Sequence, residues 1–270
     1  MMRIFCLLAA SLAVIHSHAA PLDHGDLVTI PTRDGVTQSV FVESPSSNPP
    51  WVIALFGGTP GALHLDATGA TTLRGNFVIR SARHWVEQGD AVALVDTPSD
   101  HPNGVDDTFR LSKESFTDTQ AVVAALRQRF PHSKIALVST SAGTMSVGNA
   151  LDRDPTVADA FVLTSPVTVP HKGSPSLASL GFDSVRSSKY RVLTVSNADD
   201  GCVSSPAFSG KRFAQRNDFD YVEVESSEGA GDRGEQCGAH SPHGFLGIEK
   251  EVLGDISDWL KGSRSLPNRR

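Results

Sequence analysis

The stretch Ser139-Thr140-Ser141-Ala142-Gly143 has the residue types for nucleophilic chemistry. It follows the short apolar run Ile135-Ala136-Leu137-Val138, as expected of a strand buried on both faces, and precedes residues 144–151, which can start a helix. A strand, a sharp turn of small residues around a serine and then a helix is the context of a nucleophile elbow. Such a turn would hold Ser141 in a strained backbone conformation, so bulky side chains two before or two after it would collide. Ser139 and Gly143 are both small, although the usual pattern has glycine at the first of these positions. The same residues also suit a Ser/Thr-rich strand-to-helix loop with an N-cap, and the stretch alone does not choose between the two. A serine hydroxyl is a useful nucleophile only when a histidine takes its proton and a carboxylate orients that histidine. The developing oxyanion also needs two donors, usually backbone N–H groups.

The elements that would position these groups follow from hydrophobic periodicity. Residues 27–30 and 37–42 are β-rich runs flanking Arg33-Asp34-Gly35, a hairpin signal. Residues 51–56 form a strong buried strand ending in Gly57-Gly58-Thr59-Pro60-Gly61, and residues 63–74 read as irregular. Residues 76–88 carry apolar side chains at helical spacing and stop at Gly89. Further strands are expected at 91–95, 159–164, 190–196 and 219–225, and helices at 116–130, 206–215 and 245–260, with 101–107 a loop. A two-stranded start followed by alternating strands and helices predicts a mostly parallel, doubly wound α/β sheet. Sites in such sheets form at the carboxyl ends of strands. No internal repeat is present.

These stretches together resemble an α/β-hydrolase fold serine hydrolase of the exported, esterase-like type, and the match runs from about residue 27 to 260. The resemblance implies an eight-stranded sheet with helices on both faces and Ser141 after its fifth strand. It places the acid after the strand 192–196, where Ser196-Asn197-Ala198-Asp199-Asp200 fits the family spacing and points to Asp200, with Asp199 the rival. The base becomes His243, because Ser241-Pro242-His243-Gly244-Phe245 resembles the family's His-Gly-Phe stretch before the last helix; His240 is the rival. Phe56-Gly57-Gly58 resembles the oxyanion loop, which makes the N–H groups of Gly58 and Ala142 the donors. Phe56 stands where the family has histidine. Each part has a plainer role: a solvated turn for Asp199-Asp200, a simple turn for Gly57-Gly58, an N-cap for His243. Their joint placement at strand ends, in the chain order serine, acid, histidine, favours the triad. The implied reaction is cleavage of a carboxylic ester through an acyl-enzyme, without metal or organic cofactor. Amide or peptide hydrolysis with the same triad is the alternative, and a non-catalytic binding protein on the same fold is another. About 25 residues separate the expected sixth and seventh strands. That leaves no room for a large cap domain and favours an open cleft and a small-molecule substrate. Asp96 and Asp100, at the end of the fourth strand, are expected to form turns rather than to face the pocket.

The chain of 270 residues is long enough for one large core, with 39% hydrophobic and 20% charged residues. A formal net charge of −6, with basic residues clustered only in 261–270, argues against a nucleic-acid surface. Arg3, the apolar run 4–15 and Ser17-His18-Ala19-Ala20 read as a secretory leader over 1–19, too short to span a bilayer well. The expected organisation is that leader, a single domain over 20–262 and a basic tail over 263–270, with the protein exported and not stably inserted in a membrane. Of three cysteines, Cys6 leaves with the leader. Cys202 and Cys237 remain, a pair expected to form a disulfide in an oxidising compartment. A zinc site of Cys202, Cys237, His240 and His243 is the competing use of the same residues.

Overall fold

A computed structural model describes residues 20–182, 190–231 and 235–263. The expected leader 1–19, with Cys6, and residues 264–270 of the expected tail lie outside the described residues. The chain opens with an antiparallel hairpin, β1 (Asp26–Arg33) and β2 (Val36–Glu43), turning at Gly35 with φ +67°. Glycine suits that left-handed position. Then come β3 (Trp51–Phe56), a two-residue hairpin β4 (Leu65–Asp66) and β5 (Gly69–Ala70), and helices α1 (Phe77–Arg80) and α2 (Arg83–Glu87). They are followed by β6 (Ala91–Pro98), α3 (Asp107–Arg110), α4 (Lys113–Arg129), β7 (Lys134–Thr140), α5 (Gly143–Arg153) and β8 (Ala160–Thr164). The chain closes with β9 (Val192–Asn197), α6 (Ala207–Asn217), β10 (Asp220–Val224) and α7 (Glu249–Lys261).

Eight strands form one sheet in the order β1-β2-β6-β3-β7-β8-β9-β10. The pairs β1–β2 and β2–β6 are antiparallel, and every pair from β6 to β10 is parallel. The period-2 alternation of β3 divides the core. Val52, Ala54 and Phe56 face α4 and α5 through Val122, Leu126, Met145 and Leu151. Ile53 and Leu55 face α1, α2 and α7 through Phe77, Trp85, Val252 and Ile256. Both faces being covered explains why the central strands are unbroken apolar runs. Each buried side chain of this size contributes about 1.5–3 kcal/mol, and truncation of Ile256 to alanine would cost about 2–5 kcal/mol. Among the described residues, the β8–β9 connection holds only a 3₁₀ turn, Leu177–Ser179, so no large cap domain stands over the sheet.

Three local expectations change. The segment expected to be irregular carries the β4–β5 hairpin. The helix expected over 76–88 is broken in two: Ala82 N–H bonds back only to Ile79 O, and Arg83 N–H turns away to Ala20 O at 2.9 Å. The last helix starts at Glu249 rather than 245, because Phe245 (φ +57°) and Gly247 (φ +80°) are left-handed and cannot continue a right-handed helix. In addition α4 begins at Lys113, with Ser112 Oγ accepting from Ser115 N–H at 3.0 Å.

Candidate active site

Ser141 sits between the end of β7 and the start of α5 with φ +52°. A non-glycine residue there carries strain of about 1–3 kcal/mol and persists only where its surroundings hold it. They do so here. Ser141 N–H donates to Thr164 O at 3.1 Å, and its carbonyl accepts from Thr144 N–H at 2.9 Å and Thr144 Oγ1 at 2.6 Å. Gly143 is required sterically, since a Cβ there would lie 2.4 Å from Phe56 O and 2.6 Å from Gly57 O. Serine in place of glycine at 139 is accommodated because its hydroxyl turns away from the elbow and donates to Val162 O at 3.0 Å.

The close approach at Gly143 brings the Phe56-Gly57-Gly58 loop beside the serine. A Cβ on Gly58 would stand 3.3 Å from Ser141 Cβ and 3.7 Å from its Oγ. Neither Gly58 N–H nor Ala142 N–H meets an acceptor among the described residues. Two features here are not legible in the sequence. Asn76, which starts α1 without capping it, places its Nδ2 3.2 Å from that same Gly58 Cβ position. Arg110, buried at the end of α3, donates from Nη2 to Gly58 O and from Nη1 to Ser146 Oγ, each at 3.2 Å. Burial pushes the Arg110 guanidinium down to about 10, against the opposing pull of the nearby Asp107 and Asp106 carboxylates, so it is still a cation at neutral pH.

Asp200 and His243 meet 43 residues apart in sequence: His243 Nδ1 donates to Asp200 Oδ2 at 2.9 Å, and both side chains are buried. The other carboxylate oxygen accepts from Cys202 N–H at 2.8 Å. Asp199 is exposed, as is His240, whose ring stands against Gly75. With Nδ1 committed to the carboxylate, the neutral ring has Nε2 as its acceptor. Nε2 is buried without a partner among the described residues. It shares with Ser141 a cleft of about 360 Å³, lined also by Leu73, Phe77 and Val167. No hydrogen bond joins Ser141 Oγ to Nε2 here; such bonds often tighten only with substrate bound.

The histidine loop is held from several sides. Ser165 Oγ donates to His243 O at 2.7 Å, and Asn197 Nδ2 to Pro242 O at 3.0 Å. Arg80 reaches the carbonyls of Gly75, Ala239 and Gly244 and the carboxylate of Glu249. Gly244 has no room for a side chain, because a Cβ would lie 2.0 Å from Ala239 O. Phe245 anchors the loop against Phe77 with ring centroids 4.8 Å apart.

Asp96 and Asp100 do not enter the cleft. The Asp96 carboxylate accepts from Leu63, Leu65 and Thr97 N–H, and Asp100 pairs with Arg33. Cys202 and Cys237 are joined as a disulfide with Cα atoms 4.6 Å apart. The zinc alternative thereby loses both thiolate ligands. Ligand atoms of Asp200, Cys202 and His243 do lie within 4.8 Å of one another. That sulfur, however, is spent in the disulfide, and Asp200 holds Nδ1.

No protein-family model and no curated protein matches the sequence. Solved structures do match the fold. An α/β serine hydrolase without a lid from Xanthomonas campestris superposes with a TM-score of 0.59 at 13% identity, covering 92% of this chain and 100% of that one. Est1E from Butyrivibrio proteoclasticus gives 0.59 at 14% identity, over 88% and 99%. The dipeptidyl peptidase 4 of Porphyromonas gingivalis gives 0.55 at 14% identity, over 87% of this chain but 35% of that one. The sheet order, the single antiparallel edge and these superpositions agree: the chain has the α/β-hydrolase fold.

Proposed function

We propose that the protein is a serine hydrolase that cleaves carboxylic esters of small molecules through an acyl-enzyme. The observation that carries this reading is the buried Asp200–His243 pair, whose unpartnered Nε2 lines the same cleft as the strained Ser141. Ser141 Oγ attacks the carbonyl carbon as its proton passes to His243 Nε2. The oxyanion is received by the N–H groups of Gly58 and Ala142. The carbon–oxygen bond to the alcohol then breaks, and His243 returns the proton to the leaving oxygen. Water repeats the sequence on the acyl-enzyme, losing a proton to His243, and Ser141 leaves as the hydroxyl. Asp200 keeps the proton on Nδ1 and stabilises the imidazolium. The absence of a cap among the described residues leaves the cleft open, which suits small or solvent-accessible esters. The leader-like residues 1–19 and the Cys202–Cys237 disulfide support export to an oxidising compartment.

The test is labelling of the purified mature protein with a fluorophosphonate probe, with the adduct mapped by mass spectrometry, alongside a turnover screen over p-nitrophenyl esters and aminoacyl amides. The expected result is an adduct on Ser141 and ester turnover that is lost in Ser141→Ala. An unlabelled Ser141 overturns the reading, and turnover confined to the amides replaces ester cleavage with amide hydrolysis.

A further inference from the structure

The two N–H donors assigned to the oxyanion sit on different elements. Gly58 belongs to the loop after β3, and Ala142 leads into α5. Nothing covalent keeps them converged. One side chain bridges both carriers: Arg110 donates from Nη2 to Gly58 O and from Nη1 to Ser146 Oγ, four residues along α5 from Ala142. The fork is built for. Gly61, at φ +93°, lies where a Cβ would stand 2.7 Å from Nη2, so only glycine leaves the guanidinium its place. Arg110 is 3% exposed, and no carboxylate lies within ion-pair distance of it among the described residues, although Asp107 and Asp106 act on it from farther away. A buried cation without a directly paired anion is costly, and ionisable groups perturbed in this way cluster at functional sites.

We infer that Arg110 is a positioning residue of the oxyanion site: its planar fork locks the Gly58 loop to α5, so that both N–H donors converge on one point, with a positive charge behind them that no carboxylate contacts directly. The inference rests on the hydrolase reading above. It assigns the rate of bond-making at Ser141, and not ground-state binding, to a residue outside the cleft. Lysine cannot replace it fully, because an ammonium is a point donor without the geometry to hold both acceptors.

The experiment compares wild type, Arg110→Met, Arg110→Lys and Ser146→Ala. Measurements are kcat and KM for p-nitrophenyl acetate, affinity for a trifluoromethyl ketone whose hemiketal oxygen mimics the oxyanion, and circular dichroism to establish the fold. Loss of one oxyanion donor typically lowers turnover about 10²–10³-fold. Arg110→Met is expected to lose kcat on this scale with KM within about threefold, and to bind the ketone correspondingly more weakly. Arg110→Lys should recover part of both. Ser146→Ala, which keeps the charge and removes one acceptor, should lose about tenfold in kcat alone. A folded Arg110→Met with kcat within about threefold of wild type overturns the inference. If that variant does not fold, an unchanged kcat in Ser146→Ala overturns it instead. A wild type that the fluorophosphonate leaves unlabelled at Ser141 removes the hydrolase reading and this inference together, whereas a labelled wild type with unimpaired variants removes this inference alone.

Discussion

The backbone N–H of Cys202 donates to Asp200 Oδ1 at 2.8 Å, while Asp200 Oδ2 holds His243. The disulfide residue itself therefore orients the carboxylate. Its partner, Cys237, lies in the loop that returns to His243, so the bond joins the two connections that carry Asp200 and His243.

Reduction of the disulfide, or Cys202→Ser, is accordingly expected to lower activity more than stability. Opening a loop of 35 residues costs about 3–4 kcal/mol in the chain-entropy model. A displacement of about 1 Å at the triad can cost about 10²-fold in rate. Turnover measured at a temperature where circular dichroism shows the reduced protein still folded checks this, and full activity of the reduced protein would contradict it.

The serines of the elbow should separate cleanly. Ser141→Ala is expected to lose about 10⁶-fold in kcat, as nucleophile loss does in a comparable triad. Ser139→Ala removes only the hydroxyl bond to Val162 O, for about 1 kcal/mol of stability and little change in turnover. Equal damage from the two substitutions, read in initial rates and thermal unfolding, would place the nucleophile wrongly.

The adjacent acids should differ as sharply. Asp200→Asn presents the wrong partner to Nδ1 and is expected to lower kcat by about 10⁴-fold. Asp199→Asn, at an exposed position, should stay within about twofold of wild type. Side-by-side kinetics of the two variants decide the assignment.

Asp90 is buried with Oδ1 unpartnered among the described residues, and desolvation raises its pKa. The folded state therefore holds this proton more tightly than the unfolded state. The group weakens the fold above its folded pKa, and the penalty fades as pH falls through that value towards the unfolded pKa. Asp90→Asn is expected to raise Tm by about 2–4 °C at pH 7, equivalent to about 1 kcal/mol, and by nothing near pH 3.5. Thermal unfolding of both proteins across that pH range measures it; a lower Tm at pH 7 would show that the carboxylate is stabilising.

What the sequence by itself determined is local. The apolar run 135–138, the small residues around Ser141 and the Asp34-Gly35 turn each carry their conformation in adjacent residues, and each is found where periodicity and turn chemistry placed it. The alternation of strands and helices after the opening hairpin also points to a mostly parallel sheet, because a parallel pair needs a long crossover connection, most often a helix. The tertiary structure decided everything that depends on direction and convergence. Asp199 and Asp200 are chemically alike, and only the path of the turn after β9 buries one and exposes the other. The same holds for His240 and His243, where the left-handed Phe245 and the contact of Gly244 with Ala239 O set which ring turns inward. The break between α1 and α2 follows from Arg83 N–H meeting Ala20 O, a contact between distant segments. Arg110 and Arg80 belong to no motif: each acts on carbonyls brought to it by the fold, and a contact between residues far apart in the chain leaves no periodic trace in the sequence around either.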